Sequence, residues 1–368
     1  MINKERLLNT FLEYIQIDSE SYHEGAFAAR VAADMQAIGC QVYQDSTQDK
    51  SGSEAGNLYC TLPGNTEGKA MIFSAHMDTV VPGKGIEPVI ENGIIRSKGD
   101  TVLGGDDKSG IAAIVEAMRT IVEQNLPHPT IQAVFTVCEE VGLRGSANIE
   151  YDKLVSDHAL VLDSSGDAGF IITSAPGQYV INAAILGRKA HAGIAPEEGI
   201  SSIQVLGEAI ANMKLMRIDA ETTANIGSIS ASYPTNIVAD RAEIIAECRS
   251  RNEEKLEAQR QHMMDCLEAA CAKYGAQLDA TVTKPYSAFY CPDDDAFVLH
   301  VSEACRKTGL EPKLGVSGGS SDANNFSLNG VKSLVLGTGM AKVHTTDEEI
   351  SIENLENTAR LCLTLATV

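Results

Sequence analysis

Residues 71–79 have the sequence MIFSAHMDT, in which an apolar run ends at His76 and Asp78. The run predicts a strand, and the carboxyl ends of strands are where α/β folds place their sites. Because side chains alternate along a strand, His76 and Asp78 share a face, where a carboxylate can orient a metal-binding imidazole. This spacing alone is weak evidence for a metal site, and it gains weight only from acidic positions elsewhere in the chain.

Strand and helix patterns alternate on both sides of this stretch. Apolar runs predict strands at 57–62, 131–138 and 159–162. Apolar residues at helical spacing predict helices at 28–38 and 108–123. Strands that alternate with helices indicate an α/β fold, in which helices cover both faces of a mixed, mostly parallel sheet.

The order of the elements changes from about residue 177. The predicted elements are then a strand, a helix, two strands, a helix and a strand, at 179–186, 201–213, 226–232, 237–248, 253–274 and 276–283. This β-α-β-β-α-β order is that of a ferredoxin-like α+β domain. We therefore predict an inserted domain at 177–285, which interrupts a larger α/β domain formed by 1–176 and 286–368.

The chain carries a formal charge of −21 and contains nine cysteines. The negative charge argues against nucleic acid or an anionic membrane as a partner, because polyanions would be repelled. No stretch reaches the roughly 18 apolar residues that a membrane-spanning helix needs. The cysteines are scattered from Cys40 to Cys362 without a C-x-x-C pair, as is typical of free thiols in a reducing compartment. We therefore expect a cytoplasmic protein.

A second acidic position precedes the helix predicted at 108–123. Residues 103–110 read LGGDDKSG, so Asp106 and Asp107 follow two glycines that suggest a tight turn. Such a turn would hold a carboxylate in a constrained position, as a metal ligand requires. The alternative is helix capping, because an aspartate before a helix commonly accepts hydrogen bonds from free backbone N–H groups.

Two glutamates follow the apolar strand predicted at 131–138, where residues 136–142 read TVCEEVG. Buried carboxylates are costly unless a cation meets them, so Glu139 and Glu140 predict a cationic partner. Alternation would point the two side chains in different directions, so that one is a metal ligand and the other a general base. The alternative is a strand that has already reached the surface, with two solvated glutamates.

Asp163 and His344 complete the set of candidate ligands. Asp163 ends the apolar strand at 159–162, and His344 lies in the polar loop 342–348, where a single histidine is often only solvated. Carboxylates and imidazoles that converge from the ends of rigid elements suit hard and borderline metals. The number of acidic positions further suits a two-metal site, in which one carboxylate bridges both ions.

In this order, the five motifs resemble those of the zinc metallopeptidase family that includes peptidase T, aminoacylases, bacterial glutamate carboxypeptidase and succinyl-diaminopimelate desuccinylase. The chain is most similar to the peptidase T (tripeptidase) branch, and the resemblance covers essentially its whole length. It implies that Asp106 bridges two divalent metal ions. His76 and Asp163 would complete one site, and Glu140 and His344 the other. The implied metal is Zn²⁺, with Mn²⁺ or Co²⁺ as the alternatives.

The resemblance also implies roles for residues that bind no metal. Glu139 would be the general base, and Asp78 would orient His76. In the inserted domain, His191 would reach across a dimer to stabilise the oxyanion. For Arg249, a role in binding a peptide carboxylate competes with a surface ion pair. The substrate-binding positions that the resemblance implies are Asn236, Arg249 and Gly319.

The activity that the resemblance implies is hydrolysis of amide bonds in short peptides, as in tripeptidases and aminopeptidases, by a metal-activated water. It further implies a homodimer paired through the inserted domain, which would also cover the site as a lid. One alternative is an N-acyl amino acid deacylase, which uses the same metals on a different amide. The other is a non-catalytic binding protein on the same fold, which would be expected to lack a ligand or the base.

Overall fold

The structure is a computed structural model, and it describes residues 1–367. The chain divides into two compact units. Unit 1 comprises Met1–Ala175 and the chain from Phe289 onward, and unit 2 comprises Pro176–Ala288. Each unit has its own sheet and its own hydrophobic core.

Helices and strands alternate along the chain. The first part of unit 1 contains α1 (Lys4–Ile15), α2 (Gly25–Ile38), β1 (Gln41–Gln44), α3 (Gln48–Ser51), β2 (Leu58–Leu62), β3 (Met71–His76), β4 (Pro88–Glu91), β5 (Ile94–Ser97), α4 (Gly105–Glu123), β6 (Ile131–Thr136), β7 (His158–Ser164) and β8 (Phe170–Ala175). Unit 2 contains β9 (Gly177–Leu186), α5 (Ser202–Asn212), β10 (Met216–Arg217), β11 (Thr222–Ser230), β12 (Arg241–Ser250), α6 (Glu253–Tyr274) and β13 (Gln277–Tyr286). The chain returns to unit 1 with β14 (Phe289–Tyr290), α7 (Ala296–Thr308), β15 (Lys313–Val316), α8 (Asp322–Leu328), β16 (Lys332–Gly337), β17 (Met340–Ala341), β18 (Glu349–Ser351) and α9 (Ile352–Thr367). Between residues 1 and 367, no helix combines the length and the apolar character that crossing a bilayer requires.

The main sheet of unit 1 has the strand order β1-β2-β6-β3-β7-β16-β8-β14, with β15 beside β8. The central strands β6, β3, β7 and β16 run parallel to one another. Antiparallel pairs lie toward both margins, between β1, β2 and β6 on one side and between β16, β8 and β14 on the other. The predicted mixed α/β fold is confirmed, with the parallel pairing concentrated at its centre. The carboxyl ends of β3, β6 and β7 therefore open at one edge of the sheet.

Helices cover both faces of the main sheet, as predicted. On one face, Phe73 and Ala75 of β3 belong to a large core that includes residues of α1, α2, α4, α7 and α9. On the other face, Ile72 belongs to a second core, together with Val161 of β7 and Phe326 of α8. Helix α4 is buried along almost its whole length, as expected of a helix that other elements enclose.

A small antiparallel sheet of unit 1 has the order β17-β18-β5-β4. Strands β17 and β18 pair through Met340 with Ile350 and Ala341 with Glu349, so residues 342–348 form the loop of a hairpin. Strand β18 also pairs with β5. This hairpin holds the loop that carries His344.

Unit 2 has one antiparallel sheet in the order β10-β11-β12-β9-β13. Apart from the two-residue strand β10, its elements follow the predicted β-α-β-β-α-β order, and the first strand lies beside the third and the fourth. Alternate residues of β12, such as Ala242, Ile244 and Cys248, are buried in a core with α5 and α6. The ferredoxin-like fold predicted for the insertion is confirmed.

The strand predicted at 131–138 ends earlier, at Thr136. The next two backbone N–H groups, those of Val137 and Cys138, donate to the side chains of Asn57 and Glu24 instead of to a neighbouring strand. The apolar sequence continues past this point, so the composition alone could not locate the end of the strand.

Candidate metal centre

Five segments of unit 1 bring imidazoles and carboxylates together at the carboxyl edge of the main sheet. Strand β3 ends at His76, Asp106 lies in the first turn of α4, and Asp163 lies near the end of β7. Glu139 and Glu140 occupy a turn that follows β6, and His344 is on the β17–β18 hairpin. These are the five positions that the sequence singles out, and the structure places them in one site.

Asp106 lies between the two histidines. Its Oδ1 is 3.0 Å from Nε2 of His76, and its Oδ2 is 3.4 Å from Nε2 of His344. Nε2 of His344 is also 3.0 Å from Oε2 of Glu140. A carboxylate that faces one imidazole with each oxygen has the arrangement expected of a ligand shared by two ions. His76, Asp106 and Glu140 form one group whose donor atoms are close enough to hold a metal ion.

A second such group consists of His76, Glu139 and Asp163. Nε2 of His76 is 3.8 Å from Oδ1 of Asp163, so Asp163 lies beside His76, the histidine with which the family resemblance pairs it. Glu139 and Glu140 thus belong to different groups. Their divergence comes from the turn after β6 and not from strand alternation.

The site contains more buried carboxylates than the two imidazoles can neutralise. Burial, reinforced by the charge of Asp163, raises the pKa of Glu139 well above its usual value. Burial and the charge of Asp106 do the same to the pKa of Asp163. Burial alone would raise the pKa of Asp106, but hydrogen bonds with His344 and His76 hold it below its usual value. Carboxylates that repel one another in this way favour bound cations.

The donor set fits divalent metal ions. Oε1 of Glu140 is buried and has no hydrogen-bond partner among residues 1–367. A buried carboxylate oxygen without a donor is costly, and a cation would satisfy it. Imidazole and carboxylate donors together suit zinc and its neighbours in the first transition row.

Asp78 links His76 to the turn after β6. Nδ1 of His76 lies 2.9 Å from the backbone oxygen of Asp78 and 3.5 Å from its Oδ1. The Asp78 carboxylate also accepts hydrogen bonds from the backbone N–H groups of Glu139, at 2.9 Å, and Glu140, at 3.2 Å. The Ser21 hydroxyl donates to its Oδ2 at 2.7 Å. The closest contact that orients His76 is therefore the backbone oxygen of Asp78, while the carboxylate mainly holds the turn.

The two aspartates in the first turn of α4 have different surroundings. The peptide bond between Asp106 and Asp107 is cis. Oδ1 of Asp107 accepts a hydrogen bond from the N–H of Gly110 at 3.2 Å, as a helix cap does. The capping alternative therefore describes Asp107, whereas Asp106 faces His76 and His344.

A further acidic side chain, Glu348, supports the site, and sequence reasoning assigned it no role. Glu348, which is buried, accepts hydrogen bonds from the N–H groups of Leu103, Gly104 and Asp106 at 2.8 to 2.9 Å. Burial and the charge of Asp106 raise its pKa to about 7. Glu348 thus fixes the turn that carries Asp106. Its only signal in the sequence is its place at the end of the polar loop 342–348, which carries His344.

The remaining predicted residues are not part of this cluster. Gly319 is on an exposed loop of unit 1 before α8, where its N–H donates to the Ser317 hydroxyl. His191, Asn236 and Arg249 belong to unit 2. The segments of His191 and Asn236 adjoin, because the N–H of Ala192 donates to the backbone oxygen of Asn236 at 2.9 Å.

Arg249 is half-buried and forms an ion pair. Its Nε and Nη2 are 3.2 and 3.0 Å from the two carboxylate oxygens of Glu247 on the same strand. This is the ion-pair alternative that the sequence left open. The pair uses one edge of the guanidinium, and a role in binding a peptide carboxylate remains a proposal.

The structure combines a mixed α/β sheet, an inserted ferredoxin-like unit, and an imidazole–carboxylate cluster at the carboxyl ends of the parallel strands of that sheet. Together these features define the class of metal-dependent hydrolases with two ions. Residues 72–367 match the sequence model of a family described as Peptidase family M20/M25/M40. The chain belongs to this family of metallopeptidases. The resemblance inferred from the motifs is therefore confirmed, and so is the expectation of an enzyme.

Similar proteins cover the chain almost completely. The uncharacterized protein YqjE of Bacillus subtilis strain 168 is 42% identical over 365 residues, which are 99% of this chain and 98% of that protein. The crystal structure of the aminopeptidase PepT of Bacillus cereus superposes with a TM-score of 0.93 at 42% identity, and covers 100% of this chain and 98% of its own. A tripeptidase of Staphylococcus aureus gives a TM-score of 0.96 at 39% identity with the same coverage. The names of the two solved structures agree with the peptidase T branch.

Proposed function

We propose that this enzyme is an aminopeptidase of the tripeptidase type, which hydrolyses amide bonds of short peptides with two divalent ions, Zn²⁺ in the first place. The observation that carries the proposal is the Asp106 carboxylate, whose two oxygens face His76 and His344. His76 and Asp163 would hold one ion, Glu140 and His344 the other, and Asp106 both. The names of the Bacillus cereus and Staphylococcus aureus relatives support a short peptide as the substrate.

Ions bound there would supply a polarised carbonyl and a water with a lowered pKa. Glu139 would take the proton of that water and deliver it to the leaving nitrogen. Its position supports this role, because Glu139 is buried and its carboxylate lies close to the donor atoms of His76 and Asp163. Asp78 would keep Glu139 in place through the backbone N–H of the turn.

Four residues outside the metal cluster complete the proposal. His191, contributed by the second subunit of a homodimer, would stabilise the negative charge on the carbonyl oxygen. Arg249 would bind the carboxylate of the peptide through the guanidinium edge that Glu247 leaves open. Asn236 and Gly319 would contact the substrate backbone. Size-exclusion chromatography with light scattering tests the homodimer directly.

We also propose a cytoplasmic location. The nine cysteines are all unpaired in the structure, and most of them are buried. Unpaired thiols are typical of a reducing compartment. Fractionation of the source cells would test this location.

The decisive experiment uses a panel of tripeptides, dipeptides and acylated amino acids, assayed before and after chelation and after addition of zinc, manganese or cobalt. We expect hydrolysis of tripeptides from the amino end, lost on chelation and restored by metal. Activity on acylated amino acids alone would instead assign the enzyme to deacylation.

Glu139→Ala tests the base assignment in the same assay. Two ions per chain should remain, because the proposed ligands are other residues, and turnover should fall by a factor of at least about 100, the lower range for loss of a positioned acid–base group. Inductively coupled plasma mass spectrometry measures the metal content. Normal turnover in this variant would show that another group moves the proton.

A further inference from the structure

Four consecutive backbone N–H groups after β6 donate to side chains and not to the backbone of a strand. They belong to residues 137–140, the segment that carries Glu139 and that we name the catalytic turn. The donors and acceptors are Val137 to Asn57 Oδ1 at 3.2 Å, Cys138 to Glu24 Oε1 at 3.0 Å, Glu139 to Asp78 Oδ1 at 2.9 Å and Glu140 to Asp78 Oδ2 at 3.2 Å. The conformation of the catalytic turn therefore depends on three acceptor side chains from three separate segments.

Glu24 is the acceptor that reaches the turn from the greatest distance in sequence. It lies directly before α2 and is fully buried. Its Oε1 accepts from both the N–H and, at 3.3 Å, the thiol of Cys138, and its Oε2 accepts from the Ser53 hydroxyl. Both carboxylate oxygens are thus engaged, and the side chain has one fixed orientation.

Cys138 needs such support because of its backbone conformation. Its φ of 52° is in the left-handed region, which a residue with a side chain rarely adopts. Such a conformation persists only where the surrounding structure enforces it. The hydrogen bond to Glu24 acts on the N–H of this residue, immediately before Glu139.

Glu24 precedes residue 72, where the family match begins, so the match assigns it no role. It is also absent from both groups of potential metal-binding side chains. Its contacts are instead with Cys138 and Ser53. The hydrogen bonds of the Glu24 side chain therefore connect it to the proposed site through the catalytic turn.

We propose that Glu24 is a positioning residue of the hydrolytic reaction, which fixes the catalytic turn through Cys138 and thereby holds the Glu139 carboxylate in its working position. The inference rests on the proposed function of Glu139. A misplacement of about 1 Å can lower the rate by a factor of about 100. Loss of the Glu24 acceptor should therefore lower kcat by a factor of about 10 to 100 and leave KM within about twofold, since the turn's support does not contact the peptide.

The experiment compares three substitutions of Glu24. Glu24→Ala removes the acceptor. Glu24→Gln keeps an oxygen in the same place, so kcat should stay within about threefold of the wild type, because a neutral acceptor still satisfies the N–H of Cys138. Glu24→Asp keeps the charge but withdraws the carboxylate by one methylene, so its kcat should be lower than that of Glu24→Gln. Each variant is assayed at saturating metal with its metal content measured, because the catalytic turn also carries the proposed ligand Glu140.

Glu116 offers a matched control in the same unit. It is buried, accepts the N–H of Asn3 at 2.7 Å and the Thr120 hydroxyl at 3.0 Å, and also pairs with Arg6. Glu116→Ala therefore removes a similar set of hydrogen bonds elsewhere in unit 1. It should lower the thermal unfolding temperature while kcat stays at the wild-type value.

Hydrogen–deuterium exchange supplies a readout that does not depend on activity. In Glu24→Ala, peptides that contain residues 137–140 should exchange about tenfold faster than in the wild type, as expected when a local opening becomes easier. In Glu116→Ala and Glu24→Gln, the exchange of these peptides should be unchanged.

The outcomes separate the inference from the proposed function. If the wild type hydrolyses none of the peptides but Glu24→Ala loosens residues 137–140, the peptidase proposal fails and Glu24 still positions the turn. If Glu24→Ala keeps wild-type kcat and exchange, the inference is overturned. It is equally overturned if Glu24→Asp is fully active while Glu24→Gln is not, since charge and not placement would then matter. Should Glu24→Ala not fold, the Gln and Asp variants still decide between these results.

Discussion

At the scale of single residues, Asp78 has the widest influence on the site. Its backbone oxygen orients His76, and its carboxylate holds the N–H groups of Glu139 and Glu140. The carboxylate thus supports both the proposed ligand Glu140 and the proposed base Glu139. Partners of this kind, behind the residues that touch the metal, commonly affect metal binding as strongly as activity.

Asp78→Ala should therefore weaken metal binding and slow turnover together. We expect the dissociation constant for the ions to rise about 10- to 100-fold, the usual effect of removing such a partner. Competition with a chromophoric chelator measures the constant. Ser21→Ala, which removes only the hydroxyl donor to Asp78 Oδ2, should have a much smaller effect. Equal effects of the two substitutions would contradict the assignment.

Residues that end apolar strands were predictable as members of the site. His76 and Asp163 are visible in the sequence because a polar side chain interrupts a run that is otherwise buried. Glu24 and Glu348 were not predictable. Their partners are backbone N–H groups far away in the sequence, and a backbone partner leaves no pattern in the side chains. The roles of all these residues in catalysis remain predictions.

At the scale of elements, α4 and β7 approach each other closely at Gly110. A Cβ atom added to Gly110 would be 2.6 Å from Oδ1 of Asp107 and 2.7 Å from the backbone oxygen of Leu162. Leu162 directly precedes Asp163, and Asp107 directly follows Asp106. The missing side chain at Gly110 therefore allows the helix to place its carboxylates beside the strand.

Gly110→Ala should push α4 away from β7. We expect the free energy of unfolding to fall by about 1 to 3 kcal/mol, as for other overpacked interiors, and the affinity for metal to fall as well. Denaturant titration and chelator competition measure the two effects.

Gly207→Ala in α5 is the matched control, because nothing lies within 4 Å of an added Cβ there. It should raise the free energy of unfolding by about 0.5 to 1 kcal/mol, since alanine favours helix more than glycine does. Stabilisation by both substitutions would show that the contact at Gly110 is not as close as described.

Several long elements were predicted, whereas several short ones were not. The sequence predicted a helix at 108–123, and α4 ends at the same residue; its start differs because Asp106 and Asp107 form an irregular first turn. Strands β4, β5, β17 and β18 were missed. Each has four residues or fewer and pairs only with the others, so tertiary pairing and not local sequence decides its conformation.

At the scale of the whole molecule, every proposed metal ligand belongs to unit 1. Ions that bind the folded chain and not the unfolded one stabilise the part of the structure that holds them. Unit 2 contains His191, Asn236 and Arg249 but none of the proposed ligands. Bound metal should therefore stabilise unit 1 more than unit 2.

Chelation should increase hydrogen exchange in the segments around His76, Asp106, Glu139, Asp163 and His344. Peptides from β9 and α6, in the core of unit 2, should change little. Mass spectrometry of the chelated and metal-loaded protein measures both. A loss of protection of the same size in β9 and α6 would contradict a metal centre confined to unit 1.

The hairpin that carries His344 has a consequence for synthesis. A ribosome reaches His344 only after it has made the whole of unit 2, whereas the other proposed ligands lie before residue 164. Until then, the growing chain has Asp106 and Glu140 without the imidazole that faces them. An unfinished copy still attached to the ribosome therefore has an incomplete set of ligands. We therefore expect the hydrolase to become competent to cut peptides only after residue 344 has been made.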